Sequence, residues 1–313
     1  MGHSLVDVII PTYRPGPEVK ELLRRLLLQT CPVGQILIVN TDETKWDPSV
    51  TEGISNAQVF HIAKSAFDHG SARNLGAAHS EADYIVFMTQ DAIPYDRYLI
   101  GKLVDSLKSD PDIKAVYARQ LPKKGCRIIE RFQRGFNYPP RSRVKRIGDL
   151  DELGIKTFFC SNVCACYDRK YHSESGGFAV PSIFNEDMVF AGNAIKSGYA
   201  VAYAAEACVL HSHNYTVMEQ FRRNFDNGVS QAMHPELFGG IRSEGEGMKM
   251  VKKTAGYLVK NRKGYLIPYL VVQSACKLLG FSLGKKVKNL PEWIILRCTM
   301  SPEFWKNHRE LIK

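Results

Sequence analysis

The chain has 313 residues, 44% hydrophobic and 24% charged, and a formal net charge of +10. That balance excludes a disordered or fibrous protein, and the length allows one large domain or two small ones at roughly 100–200 residues each. The charge is uneven: residues 1–235 carry 27 Lys and Arg against 26 Asp and Glu, residues 236–313 carry 15 against 6. In chain order, Val6–Ile10 reads as a first strand ending in Pro-Thr-Tyr-Arg, and it is too short for the apolar core of an export signal, so none is expected. Leucines at 22, 23, 26 and 27 predict a helix over 18–28 with one buried face. Ile36–Val39 is a second strand running into polar Asn40–Asp47, and Val59–Ile62 a third. Ser71–His79 reads as a small-residue helix able to lie close on a sheet. Tyr84–Met88 is an apolar fourth strand that delivers Thr89, Gln90 and Asp91 at its carboxyl end, before Pro94 stops the ladder.

Beyond it, 99–109 predicts a helix and 115–118 a strand. Residues 119–146 hold ten Lys or Arg and the single acid Glu130, the composition of a mobile basic loop. The segment 156–167 alternates like a strand. Its Cys160, Cys164 and Cys166 lack the second pair of a zinc site, and none of the eight cysteines forms a CxxC, so reduced core thiols in a cytosolic setting are expected. Residues 186–197 predict a helix closed by Gly198, 200–210 a strand delivering His211 and His213, and 216–230 a further helix. A main domain is expected over 1–235, divided into a nucleotide-binding half at 1–115 and an acceptor half at 116–235. A basic, helical extension is expected over 236–313. Within the extension 266–283 is largely apolar but interrupted by Gln273, Ser274 and Lys277. A membrane-spanning helix wants about 20 apolar residues, so this segment reads either as an interfacial helix flanked by Lys285, Lys286 and Lys288 or as part of a packed hairpin. No nucleic-acid-binding motif accompanies the basic charge.

Alternating strands and helices predict an α/β fold with a mostly parallel sheet, whose ligands bind outside the carboxyl ends of the strands. Four polar clusters fall at such ends: Pro11–Arg14, Asn40–Asp42, Asp91, and Asn185-Glu186-Asp187 followed by His211 and His213. Asp91 with a histidine at 211 or 213 offers oxygen and imidazole ligands for a divalent cation that also meets a diphosphate. A carboxylate of Glu186-Asp187, outside that shell, suits a general base. Taken singly, a strand-end histidine is more often structural, and acids at a helix start more often complement the dipole.

Several stretches go further. VIIPTYR at 8–14, ARNLGA at 72–77 and the acid after the fourth strand, with NED at 185–187, are joined by FDHGSARN at 67–74, FMTQDAIP at 87–94 and ARQLP at 118–122, then SNVCACY at 161–167 and HSHNYT at 211–216. On these the chain resembles the family-2, GT-A-fold glycosyltransferases, specifically their bacterial rhamnosyltransferase branch, over about residues 5–230. The resemblance implies a Rossmann-like GT-A fold with a mixed, mostly parallel sheet, and an inverting transfer from a nucleotide-activated sugar. L-rhamnose from dTDP-L-rhamnose to a cell-surface or lipid-linked glycan is the first expectation. A UDP-sugar donor, or a catalytically inactive sugar-nucleotide or glycan-binding module, is the alternative. It implies that Pro11, Thr12, Tyr13, Arg14, Asn40, Asp42, Arg73, Asn74, Gln90 and Asp91 bind the donor. Mg2+ or Mn2+ would sit on Asp91 and His211, with His213 the second candidate. Asp187 would act as base, supported by Glu186, and Asn185 and Glu186 would meet the acceptor. Two positions depart from the family pattern: Thr89 stands where the first acid of a DxD motif is usual, and Asn40 where an Asp is usual. The implied partners are the nucleotide sugar, the glycan and a peripheral contact with the inner face of the cell membrane, with no nucleic acid.

Overall fold

A computed structural model describes residues 6–241 and 244–311. In chain order the elements are β1 (Val6–Tyr13), α1 (Pro17–Leu27), β2 (Val33–Thr41), β3 (Ala57–Ile62), α2 (His69–Ala78), β4 (Tyr84–Met88), β5 (Ile93–Pro94), α3 (Leu99–Lys108), β6 (Ile113–Leu121) and α4 (Ile128–Asn137). They continue with β7 (Arg143–Lys145), α5 (Leu150–Leu153), β8 (Cys164–Asp168), α6 (Arg169–Glu174), α7 (Glu186–Lys196), β9 (Ala200–Leu210) and α8 (Val217–Met233). The last are α9 (Pro235–Phe238), α10 (Glu244–Lys260), α11 (Ile267–Gly284), α12 (Glu292–Cys298) and α13 (Pro302–Asn307). The chain forms two compact units. The first contains Met1–Leu121, Tyr138–Pro181 and Glu186–His211, the second Pro122–Asn137, Ser182–Asn185 and Ser212–Lys313.

The first unit is built on one sheet in the order β3-β2-β1-β4-β8-β6-β9-β5, with β7 also paired to β9. β3, β2, β1 and β4 are parallel, β8 runs antiparallel to both β4 and β6, and β6 and β9 are parallel to each other. Two reversals around β8 restore the direction, so β1, β2, β4 and β9 all end at the same edge. Val8, Ile10, Val86, Val116 and Ala202 are fully or almost fully buried beneath α1 and α3, whose apolar stripes include Leu22, Leu26, Leu99 and Leu103. On α2 the expected close approach is present: a Cβ on Gly76 would lie 2.4 Å from Ile9 Cγ2, so only glycine lets the helix reach the sheet. The Asp68 side chain caps this helix, accepting from the Ser71 N–H at 2.7 Å.

Two expectations are corrected. Residues 119–146 are an end of β6, the helix α4 and the edge strand β7, not a loop. Three of their basic side chains meet acids, Arg134 with Glu130 within α4, Arg143 with Asp149 and Glu152, and Arg146 with Asp110 and Asp112. Lys145 is buried, donates to the Lys156 carbonyl at 3.2 Å and to that of Phe159, and is pushed down to about 7 by that burial. The strand expected over 156–167 is confined to β8, because 154–158 turns as a 3-10 helix. The eight cysteines are free thiols.

The compact units also divide the chain differently from a cut near residue 235. In the second unit α8 packs along α11 at glycine contacts. A Cβ on Gly228 would lie 2.3 Å from the Phe281 carbonyl oxygen, one on Gly280 2.3 Å from that of Phe221, and one on Gly284 2.1 Å from that of Phe225. Backbones this close make α8 inseparable from the helices after it. Phe225 and Val229 join Ile295, Phe304 and Trp305 in one core, while α4 meets α10 and α11 through Ile129, Leu258 and Leu270. Buried Asp226 pins the C-terminal helices to α8, accepting from Thr299 Oγ1 at 2.6 Å and from the Met300 N–H at 2.8 Å. Gln133 Oε1 on α4 accepts from Lys277 of α11 at 3.2 Å.

Candidate active site

The strand ends of the first unit carry the side chains singled out from sequence. At the end of β1, Thr12 Oγ1 donates to Asn40 Oδ1 of β2 at 3.1 Å, and the Asn40 amide reaches the Asp42 carbonyl at 3.2 Å and His61 Nδ1 at 3.1 Å. Asn40 is fully buried, so its amide is spent on holding the β1 and β2 ends together. Arg14 and Asp42 leave their strands at φ 48 and 68, left-handed conformations that non-glycine residues seldom adopt and that concentrate at functional sites. The Arg14 guanidinium lies 5.1 Å from the centroid of the half-exposed Tyr13 ring. Asp42 accepts from Thr44 Oγ1 at 2.6 Å, which holds its carboxyl below the usual range. Gln90 joins β1 to the β4 end: its Oε1 accepts from the Tyr13 N–H at 2.9 Å and its Nε2 donates to the Tyr13 carbonyl at 3.2 Å.

Pairing of β5 with β9 sets Ile93 opposite Leu210. Asp91 and His211, which flank that pair, are thereby brought together, with Asp91 Oδ2 3.4 Å from His211 Nε2. Two ligands bound to one cation at about 2.0–2.2 Å and at a right angle lie roughly 3 Å apart, so this pair has the bite of half a metal site. The imidazole is oriented from behind. Gln120 Nε2 is committed to Tyr138 Oη at 2.6 Å and Ser161 Oγ at 3.0 Å, which leaves Gln120 Oε1 to accept from His211 Nδ1 at 2.9 Å. With its proton on Nδ1, the ring presents the Nε2 lone pair towards Asp91, the arrangement that metal-ligating histidines use. His213 belongs to the second unit, where it stacks on Tyr215 with centroids 4.9 Å apart.

The carboxylates at the start of α7 differ in environment. Glu186 is buried, 3.2 Å from Arg73 Nη1 and 2.9 Å from Asn162 Nδ2. Burial pushes it up, but Arg73, His69 and the Asn162 amide outweigh that and hold it below the carboxylate range. Asp187 stays partly open to solvent, its Oδ2 accepting from the Asn162 N–H and its Oδ1 from the Met188 N–H, each at 2.8 Å. Burial, with the Glu186 charge beside it, pushes Asp187 up to about 7. A carboxylate poised there is matched to taking a proton near neutral pH. Asn185, in the second unit, sits at φ 61 and donates to Asn227 Oδ1 at 2.6 Å.

Arg73 and Asn74, expected to bind the donor, are engaged inside the protein. Arg73 holds Glu186 and the His69 carbonyl, and Asn74 makes two 2.9 Å bonds to the Phe178 backbone. What the sequence reading passed over is the turn at Ser161-Asn162-Val163. Ser161 meets Gln120 behind His211, Asn162 holds both NED carboxylates, and the Val163 carbonyl accepts from the Thr89 N–H at 3.1 Å. Tyr167 Oη donates to Asn162 Oδ1 at 2.7 Å and so turns its amide towards Glu186. One turn thus braces the Asp91–His211 end and the Asp187 end. Its signal in the sequence is the SNVCACY stretch at 161–167, which opens with this turn but assigns it no role in the site.

Known proteins match this architecture. Residues 7–176 match the family model described as Glycosyl transferase family 2. The chain is 39% identical over 306 residues to the O-antigen chain rhamnosyltransferase RfbN of Salmonella typhimurium, covering 96% of both chains. It is 36% identical over 305 residues to the O-antigen chain rhamnosyltransferase WbaN of Salmonella anatum, covering 96% of this chain and 95% of that one. Among solved structures, the mannosyltransferase PcManGT from Pyrobaculum calidifontis, in complex with GDP-Man and Mn2+, aligns with a TM-score of 0.58 at 15% identity, covering 98% of this chain and 86% of that one. Residues 1–349 of S. aureus TarS align with a TM-score of 0.51 at 13% identity, covering 98% and 90%. The fold is of the GT-A class.

Proposed function

The chain belongs to glycosyl transferase family 2 and is an inverting glycosyltransferase, and from that premise we propose that it transfers L-rhamnose from dTDP-L-rhamnose to a hydroxyl of a growing, lipid-linked O-antigen-type glycan. Likeness to two O-antigen rhamnosyltransferases along 96% of the chain carries the choice of sugar. The geometry supports the chemistry. Asp187 takes the proton of the acceptor hydroxyl, whose oxygen forms the new bond to the anomeric carbon as the carbon–oxygen bond to the diphosphate breaks. The bonding electron pair leaves with dTDP, and attack from the opposite face inverts the anomeric configuration. Glu186 stays ionised against Arg73 and, across Asn162, holds the Asp187 segment in place.

Asp91 and His211 fit a divalent ion, Mg2+ or Mn2+, with His213 a further candidate two residues on. Such an ion, when bound, supplies positive charge to the departing diphosphate. Thr12, Tyr13, Arg14, Asn40 and Asp42 form the nucleotide end, with Pro11 and Gln90 shaping it. Arg73 and Asn74 contribute by bracing Glu186 and the Phe178 loop. Asn185 and Glu186 are the residues assigned to the acceptor.

The enzyme works on the cytoplasmic side as a peripheral membrane protein. Among the described residues one helix, Gly264–Gly284, is long and apolar enough to cross a membrane, with a mean hydropathy of 1.5. A surface location fits better, because α11 also carries Gln273 and Lys277 and packs on α8. Val271, Val272, Leu278 and Leu279 share an exposed stripe, with Lys285, Lys286 and Lys288 just beyond it.

A nucleotide-sugar panel in Mn2+ tests the donor. dTDP-L-rhamnose is expected to raise the melting temperature, since ligand at 100 times its Kd stabilises by about 2.7 kcal/mol, and to be the substrate most rapidly hydrolysed. Faster turnover of a UDP-sugar would overturn the choice. The Leu278→Gln, Leu279→Gln double variant is expected to lose co-sedimentation with anionic vesicles, and unchanged partitioning would remove the membrane contact.

A further inference from the structure

The second unit contains a cavity of about 240 Å³, formed where α4, the beginning of α8 and the beginning of α11 meet. Its wall combines the rings of Tyr215 and Tyr269 with the side chains of Glu130, Gln220 and Gln273. Gln273 is 94% buried, and its Oε1 has no hydrogen-bond partner among the described residues. A buried amide oxygen left without a donor is costly, and native interiors rarely leave one so. The rim is rigid. Asn214 accepts from the Arg127 N–H at 2.9 Å and donates to the Gly125 carbonyl at 3.0 Å, while Ser212 Oγ accepts from the Lys123 N–H at 3.0 Å. The Tyr215 ring is fixed by the stacked His213 and by Arg223, whose guanidinium lies 5.6 Å from the ring centroid.

We propose that this cavity is an acceptor subsite that takes one pyranose ring of the glycan being extended; the inference rests on the transferase reading above. The chemistry of the wall selects the class. Flat aromatic faces suit the C–H faces of a sugar ring, and uncharged amides suit hydroxyls that both donate and accept. Two buried amides disfavour a lipid chain in the same space. The volume lies below the roughly 300–1,000 Å³ of sites that enclose drug-sized ligands, so one ring is held and the remainder of the glycan stays outside. Gln273 lies in the wall with Oε1 turned inward, and a half-turn of its carboxamide brings that oxygen to a sugar hydroxyl that supplies the missing partner. The segment 211–215 links the two roles along the chain: His211 pairs with Asp91 in the first unit, and Tyr215 lines the cavity in the second.

The test is saturation-transfer NMR on the full-length protein with methyl pyranosides of L-rhamnose, D-galactose, D-mannose and N-acetyl-D-glucosamine, each in the millimolar range. At least one is expected to receive saturation at its ring protons. That signal is expected to be lost in Gln273→Leu, which removes the hydrogen-bonding amide, and in Leu266→Trp, which fills the cavity from its partly exposed edge. The loss corresponds to about tenfold or more in affinity. Melting curves of both variants accompany the spectra; should Gln273→Leu fail to fold, Leu266→Trp carries the same outcome. Absence of transfer to every pyranoside in the wild type, or transfer that persists in the filled variant, would overturn the subsite. Donor hydrolysis by the wild type is read in parallel. If dTDP-L-rhamnose is hydrolysed and no pyranoside binds, the subsite falls and the transferase reading stands. If a pyranoside binds in the cavity and dTDP-L-rhamnose is not hydrolysed, the choice of donor falls and the sugar-binding cavity stands.

Discussion

Gln120 stands behind His211, so on the proposed metal site its amide would set metal affinity. Its amide is buried and fully committed: Oε1 to His211 Nδ1 at 2.9 Å, Nε2 to Tyr138 Oη at 2.6 Å and to Ser161 Oγ at 3.0 Å. In Gln120→Leu the imidazole loses the acceptor that fixes its tautomer, and removing such an outer partner typically costs about 10–100-fold in metal affinity, or roughly 1.4–2.8 kcal/mol. The two hydroxyls left behind cost about 1–3 kcal/mol each where they stay unpaired, so the variant also melts earlier and is assayed well below its transition. Gln120→Glu separates the effects. A carboxylate still accepts from Nδ1, and the Tyr138 and Ser161 hydroxyls can rotate to donate to it. The assay is activity against Mn2+ concentration after treatment with EDTA, which is itself expected to silence the enzyme. The Leu variant is expected to shift the midpoint 10–100-fold upward and to recover most of its turnover at saturating metal, on the scale known for such partners. The Glu variant is expected to stay near the wild-type midpoint or below it. A Leu variant that loses turnover with no shift in midpoint would mean that Gln120 supports only the fold, and full activity in EDTA would remove Asp91 and His211 as metal ligands.

Three further outcomes are expected. Asp187→Asn abolishes turnover while leaving donor-induced thermal protection intact; in the wild type, kcat/KM falls as pH drops through about 7, where the Asp187 carboxyl protonates, and wild-type rates in the variant would exclude it as the base. Asp226, pushed up to about 7 by burial, binds a proton in the folded state that it has released when unfolded, so it makes stability fall as pH rises from about 4 to about 7; melting temperatures at pH 5 and pH 8 should differ less in Asp226→Asn than in the wild type. Gly284→Ala places a methyl group 2.1 Å from the Phe225 carbonyl oxygen, and overpacking costs about 1–3 kcal/mol or more, so a melting temperature lowered by several degrees is expected and an unchanged one would refute the glycine contact between α8 and α11.

Most of the first unit was legible because its signals are local. Leu22, Leu23 and Leu26 recur at helical spacing, Tyr84–Met88 forms one apolar run, and the small residues of α2 announce a close approach that Gly76 makes. The basic stretch at 119–146 misled for the same reason. Composition registers ten positive charges, but it registers neither the acids that answer them nor the site that buries Lys145. The division into units was hidden too, since Gly228, Gly280 and Gly284 acquire meaning only when two helices distant in sequence lie in contact.

From the sequence alone came the family, most strands and helices of the first unit, and the choice of Asp91, Asp187 and His211 as candidates, because each is written in a short run of neighbouring residues. Only the tertiary structure decided what surrounds them. It set Asp91 beside His211 through the pairing of β5 with β9, committed Gln120 to the imidazole, and made the turn at 161–163 the brace between the two ends of the site. It also separated two adjacent carboxylates, Glu186 held low against Arg73 and Asp187 pushed up to about 7 by burial. Burial and hydrogen bonding from residues remote in the chain set those properties, and no local pattern records them.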